Sequence, residues 1–264
     1  MARSRMSSLA KTTNQREEEI LTELRRAGGS CRVSFLAERL GVSNETIRRN
    51  IRSLEDNEVV RKVHGGVHLV HRLNEAPFQN RMDTQAEIKT RLAARVAATI
   101  SDGDSVFLDV GSTTAYVAMA LRSHKNLYVV TNSIFVAQTL ATRNGNRVFL
   151  AGGELRSHDG GAFGAEAIDL VGRFNTQFAV FSIGAVNAEM GFMLHDFEEA
   201  NIARIAAQNA QVRIVVTVAE KFGKRAPVVL DHADRFDILV SDEAPPEDIA
   251  RMIQSRGIEL LLAE

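Results

Sequence analysis

The chain has 264 residues, 45% of them hydrophobic and 25% charged, with one cysteine and a formal net charge of -1. This is the composition of a globular protein with room for a small and a medium domain, and no apolar run approaches the roughly 18 residues that a membrane span needs. Cys31 alone excludes an internal disulfide, and the opening MARSRMSSLAKTTNQREEE has basic residues with no apolar stretch behind them, which points to the cytoplasm and to no membrane partner. The total charge hides an asymmetry: residues 1–72 hold 14 Lys and Arg against 9 Asp and Glu, a balance of +5, and the remainder 18 against 24, a balance of -6. The basic end is the candidate for a polyanion partner.

In chain order, Ile20, Leu21 and Leu24 form a helical stripe within Arg16 to Arg26, and Gly28, Gly29 and Ser30 end it. A second short helix is expected from Val33 to Leu40, with Gly41 where a left-handed C-cap is needed. Ser43 is expected to cap a third helix, with Glu45 in its first turn suiting the positive end of the dipole. Along that helix Ile47, Ile51 and Leu54 recur at i, i+4, i+7 and face inward, which turns Arg49 and Arg52 outward with Arg48 and Thr46 beside them. The run VVRKVHGGVHLV then reads as a two-stranded hairpin turning at Gly65 and Gly66. Helix, helix, turn, helix and hairpin make a winged helix-turn-helix over residues 13–70. The major groove of DNA admits a helix, and arginine reads guanine bidentately or grips phosphate. The expected DNA-facing set is Ser43, Thr46, Arg48, Arg49 and Arg52, with Gly65 and His64 at the wing. His64 is either a wing-tip phosphate contact or a turn residue.

A polar linker is expected over 71–85, then a helix from Ala86 to Ile100 with Ile88, Leu92, Val96 and Ile100 on one face. Beyond it lie seven short apolar runs, SVFLDV, NLYVVT, NRVFLAGG, QFAVFSIGAV, RIVVTVA, DILVSD and IELLLA, with helical periodicity between several of them. Residues 86–264 are therefore expected to form an α/β domain with a mostly parallel sheet covered on both faces. After the first run, Gly111, Ser112, Thr113 and Thr114 stand where a strand passes into a helix. Small residues and free amides at a helix N-terminus attract a phosphate. The next two strands end in Thr131, Asn132 and Ser133 and in Gly152 and Gly153, so three strands deliver small polar residues to the carboxyl edge, where α/β sheets bind ligands.

The segment RLGVSNETIRRNIRSLEDNEVVRKVHGG resembles the N-terminal domain of the DeoR family of bacterial transcriptional regulators. Gly41, Val42, Ser43, Thr46, Ile47, Arg48, Arg49, Leu54, Glu55, Arg61, His64, Gly65 and Gly66 match its pattern, whereas Asn50 stands where the family usually has Asp. PFQNR, DGDSVFLDVGSTT, VVTNS, LAGGELR and KFG resemble the same family's effector domain, and GFMLHDFEEANIAR resembles a glycerol-phosphate-type subgroup of it. The resemblance implies a second domain similar in fold to sugar-phosphate isomerases that senses a phosphorylated sugar or polyol. It also implies that Asp109 and Gly111 to Thr114 lie on the phosphate side and Lys221 near the sugar. Val218, Ala219 and Glu220 replace the Asp-Ser-Ser that often precedes that lysine.

The function expected is a repressor of carbohydrate or polyol catabolic genes that binds double-stranded operator DNA as a homo-oligomer, a dimer or tetramer. No cofactor, metal or catalytic residue is expected. His195 lacks the company a zinc site needs. The alternative is a sugar-phosphate isomerase or deaminase-like enzyme with an accessory DNA-binding domain, in which Asp196, Glu198, Glu199 and Lys221 would form an acid/base set; the same residues also suit a helix start and a surface lysine.

Overall fold

The computed structural model describes residues 14–27, 29–56, 59–63, 65–69, 78–230 and 236–263, the side chains of Arg25 and Leu69 excepted. The chain divides into two compact units, residues 1–73 and 74–264. His64 and the linker residues 71–77 lie outside the described residues.

The first unit contains α1 (Gln15–Arg26), β1 (Ser30–Arg32), α2 (Val33–Arg39), α3 (Asn44–Asp56), β2 (Val60–Val63) and β3 (Gly66–Leu69). Ile20, Leu24, Leu36, Ile47, Ile51, Leu54, Val60 and Val67 interlock as one buried core. Full burial of such a side chain contributes about 1.5–3 kcal/mol, so this small unit depends on all of them. Helix α2 stops because Gly41 adopts φ +63, which lets the Val42 amide reach back to Ala37 O at 3.0 Å and the Gly41 amide to Glu38 O at 3.3 Å.

The expected two-stranded hairpin is a three-stranded sheet in the order β1-β3-β2. The extra strand, Ser30–Arg32, pairs antiparallel with β3, Cys31 opposite Val67. That approach requires Gly66, where a Cβ would stand 2.7 Å from Cys31 O. Burial, aided by the Glu23 carboxylate, pushes the Cys31 thiol up from 9.0 to about 11.

In the second unit, α4 (Phe78–Asp83) occupies part of the stretch read as linker, and α5 (Ala86–Ala97) ends before the expected Ile100. Then come β4 (Ser105–Leu108), α6 (Ser112–Ala120), β5 (Tyr128–Thr131), α7 (Ile134–Leu140), β6 (Arg147–Leu150), α8 (Ala165–Gly172), β7 (Thr176–Ser182), β8 (Ala185–Asn187) and β9 (Gly191–Leu194). The chain continues through α9 (Phe197–Gln208), β10 (Ala210–Thr217), β11 (Val228–Val229), β12 (Ile238–Ser241), α10 (Glu247–Ser255) and β13 (Glu259–Leu262).

Seven strands form one sheet in the order β13-β12-β10-β7-β4-β5-β6, and every pairing in it is parallel. They correspond to the seven apolar runs. Alternation sends Val106 and Leu108 of β4 into a core with Leu92 and Val96 of α5, while Phe107 packs with Phe181 and with Ala203 of α9 on the other face. Both faces are thus covered by helices, as continuous apolar strands require. A second, antiparallel sheet, β11-β9-β8, was not expected.

The strand order reverses direction between β4 and β7: the chain walks from β4 to β5 and β6, then returns to lay β7 on the other side of β4. In open α/β sheets such a reversal of strand order marks the carboxyl-edge position where ligands bind. No helix among the described residues is long and apolar enough to cross a membrane.

Candidate functional site

In α3 the Ser43 hydroxyl accepts from the Thr46 amide at 3.1 Å and lies 2.9 Å from the Thr46 hydroxyl, so the expected cap is formed. Ile47, Ile51 and Leu54 are at most 1% exposed. Arg48, Arg49 and Arg52 stand in the solvent-exposed set, and none of them has an ion-pair partner among the described residues. Asn50, which departs from the family pattern, turns inward: its amide donates to Thr46 O at 2.9 Å and its carbonyl accepts from Asn14 at 3.4 Å. At the far end of the helix the Glu55 carboxylate accepts from the Lys62 amide at 3.0 Å and from its ammonium, tying α3 to β2. Those bonds hold the Glu55 carboxyl below its ordinary range. Gly65 turns the hairpin at φ +74.

At the carboxyl edge of the large sheet the polar groups are buried. Asp109 is 1% exposed, Thr113 3%, and Thr114, Thr131 and Asn132 are fully buried. The Val110 amide is shared between Asp109 Oδ1 at 2.8 Å and Asn132 Oδ1 at 3.0 Å, which joins the ends of β4 and β5. Asn132 Nδ2 is buried without an aligned hydrogen-bond acceptor among the described residues. The Thr131 hydroxyl donates to Leu108 O at 2.6 Å and accepts from the Ser133 amide at 3.0 Å. Burial raises the Asp109 carboxyl well above its ordinary range, and the Glu199 carboxylate adds to the rise; the Val110 amide, Asn132 and Arg156 oppose it.

Gly111 precedes α6 without a side-chain cap, so the amides of Ser112, Thr113 and Thr114 are without acceptors among the described residues. The Thr114 hydroxyl donates to Gly111 O at 3.0 Å. A Cβ on Gly111 would meet Ser182 Oγ at 2.1 Å and Ser182 Cβ at 3.2 Å, so this loop lies closely against the end of β7. Lys221, in the turn after β10, donates from its ammonium to Ile183 O at the same end of β7. Gly152 and Gly153 follow β6 and are exposed. They stand two strands from β4, at the opposite side of the row from β10.

One cationic group was not singled out in advance. Arg156 lies in the loop after β6 and contacts Asp159, at 3.1 Å from its Nε, Asp196, at 3.3 Å, and Glu199. Its guanidinium also lies 4.1 Å from the Phe163 ring centroid. Burial alone would lower the Arg156 pKa, but the Asp159 and Glu199 carboxylates raise it. Burial likewise works against an ionised Asp159, yet the Arg156 guanidinium and the Gly161 amide bring that carboxyl below its ordinary range. Asp196 caps α9, accepting from the Glu198 and Glu199 amides at 2.9 and 3.1 Å, which is the helix-start arrangement. The motif LAGGELR contains Arg156, but nothing local reveals carboxylates 40 or more positions away.

Residues 16–72 match the model of the DeoR-like helix-turn-helix domain and residues 84–243 that of the DeoR C terminal sensor domain. The glycerol-3-phosphate regulon repressor of Escherichia coli K12 is 34% identical over 94% of this chain and 98% of its own length. The HTH-type transcriptional repressor CsqR of the same organism is 32% identical over 98% and 99%. Among solved structures, ribose 5 phosphate isomerase A from Neisseria gonorrhoeae aligns at a TM-score of 0.39 and 17% identity, over 54% of this chain and 56% of that one. The relatives are named for repression, so the enzyme alternative is not favoured. The chain belongs to the DeoR family of DNA-binding transcriptional regulators.

Proposed function

We propose that this regulator is a cytoplasmic repressor of carbohydrate or polyol catabolic genes, released from its operator by a phosphorylated sugar or polyol bound at the carboxyl edge of the large sheet. Ser43, Thr46, Arg48, Arg49 and Arg52, with the wing around Gly65, face the duplex. Gly111, Ser112, Thr113 and Thr114 take the phosphate; Asp109, Thr131, Asn132, Gly152, Gly153 and Lys221 take the remainder of the ligand. The observation that carries this reading is the start of α6, where three amides lack acceptors among the described residues, beside a buried acid and a buried amide group. Such a helix start attracts an oxyanion, and Asp109, whose carboxyl burial raises above its ordinary range, lies beside it to meet a sugar hydroxyl. Helix-turn-helix proteins read paired half-sites as dimers, so the working form is a homo-oligomer, a dimer or tetramer.

The test mixes purified protein with fragmented genomic DNA and a panel of phosphorylated sugars and polyols. Sequence-selective retention of fragments, released by one member of the panel that also raises the melting temperature, is the expected result. Saturable turnover of a panel member with no selective retention of DNA overturns it.

A further inference from the structure

Given the effector reading above, ligand and DNA must be coupled through the chain that joins the two units. Helix α4 is the first described element after residues 70–77, and so the place where the chain from the DNA-reading unit enters the second unit. It has six residues and no buried side chain. A helix that short does not persist alone. What holds it is a set of fastenings, one to α5 and the others to segments that also supply the edge of the sheet.

At the start of α4 the Phe78 amide donates to His158 O at 3.2 Å, two residues from Arg156. The Phe78 ring lies 5.6 Å from that of Phe135, three residues beyond Asn132. Near its end Met82 O accepts from the Tyr116 hydroxyl at 2.9 Å, two residues beyond Thr114. The Lys89 ammonium donates to Arg81 O and, at 2.8 Å, to Thr84 O, joining α4 to α5. Between those helices Gln85 sits at φ 55, a left-handed backbone that a side chain adopts at a cost. Its amide donates to Glu220 at 3.0 Å, next to Lys221. Four separate stretches of the edge, around Thr114, Asn132, Arg156 and Lys221, thus reach α4 or the turn that follows it.

We propose that α4 is the lever by which the effector acts on the DNA-reading unit: ligand seated at the edge shifts these stretches together, α4 moves with them, and the chain entering from the first unit is displaced. Coupling of this kind needs an element that both sites bias, and α4, short, surface-lying and fastened at each end to segments of the sheet edge, is the element assigned that role. The left-handed Gln85 is where the rotation is absorbed, since a few backbone angles at an element terminus suffice for a hinge.

The experiment uses the full chain, a genomic fragment it retains selectively, and glycerol 3-phosphate followed by the other phosphorylated sugars and polyols of the panel. Affinity for the fragment is measured with and without each compound, and binding of the compound is read separately as a rise in melting temperature. Wild type is expected to show a ligand-dependent change in DNA affinity of about 5–150-fold. Phe78→Ala and Tyr116→Phe should keep the melting-temperature rise and the ligand-free DNA affinity while that change falls towards onefold. Phe78→Tyr, which keeps the ring, should restore it. Variants that respond like wild type, or that lose the melting-temperature rise as well, overturn the lever while leaving the effector reading standing. If no compound raises the melting temperature of wild type, the effector reading fails and the lever falls with it.

Discussion

The two functional regions place their polar groups in opposite ways. In α3 the arginines project into solvent from a core of Ile47, Ile51 and Leu54. At the sheet edge, Asp109, Thr114, Thr131 and Asn132 are drawn inside, and even Arg156 is stacked on a ring and surrounded by carboxylates. A surface that must meet a duplex keeps its cations hydrated until binding, so its contribution is set by salt. An edge proposed to meet a small molecule is desolvated in advance, so its contribution is set by protonation and by fit.

The contrast should be widest in pH. Asp109 has an ordinary value of 3.8 that folding raises, so its contribution is fully present below that value and is lost as pH rises through the folded one. Wild type should therefore lose melting temperature relative to Asp109→Asn on titration upward from about pH 4. Asp159, lowered by folding, runs the other way: its contribution is present above 3.8 and is lost as pH falls through the folded value. Melting curves of Asp159→Asn and wild type should converge in acid. Parallel curves for all three proteins would break the distinction.

Next in size is Thr113→Asp, which sets a second anion against the phosphate proposed to bind at the start of α6. At about 4 Å and an effective dielectric near 20 the repulsion is on the order of 4 kcal/mol, enough to abolish the effector response while operator affinity stays as it was. DNA release against ligand concentration reads this directly, and an intact response moves the phosphate elsewhere. The smaller effect is expected outside: Arg49→Ala or Arg52→Ala should weaken operator binding by about 1–3 kcal/mol where the side chain is bidentate to a base. The affinity of each variant should be measured across a salt series, because a lost phosphate contact flattens the salt slope and a lost base contact changes base preference. If neither variant alters affinity or base preference, α3 is not the reading helix.

Much of this architecture is legible in the sequence because it is periodic. The seven apolar runs become the seven parallel strands, and the spacing of Ile47, Ile51 and Leu54 fixes which side of α3 is bare. What escapes is made by distant contacts. Ser30–Arg32 is too short and polar to announce a strand, and pairs only because Gly66 leaves room for Cys31 O. Phe78–Asp83 has no amphipathic stripe, since bonds to His158 and Tyr116 hold it in place of a buried face. At the site, Asp109 and Asn132 are readable as strand-end residues, but the shared Val110 amide that joins them is not. Arg156 is readable only as a charge in a glycine-rich loop, because Asp196 and Glu199 arrive from another helix.

Cys31 is the one sulfhydryl in the chain, and it sits in the sheet that carries the wing. With its pKa pushed up to about 11, it is almost wholly protonated at neutral pH and a poor nucleophile. Oxidation by peroxide and mixed-disulfide formation both proceed through the thiolate, so the raised value slows attack of thiol oxidants on this sulfhydryl.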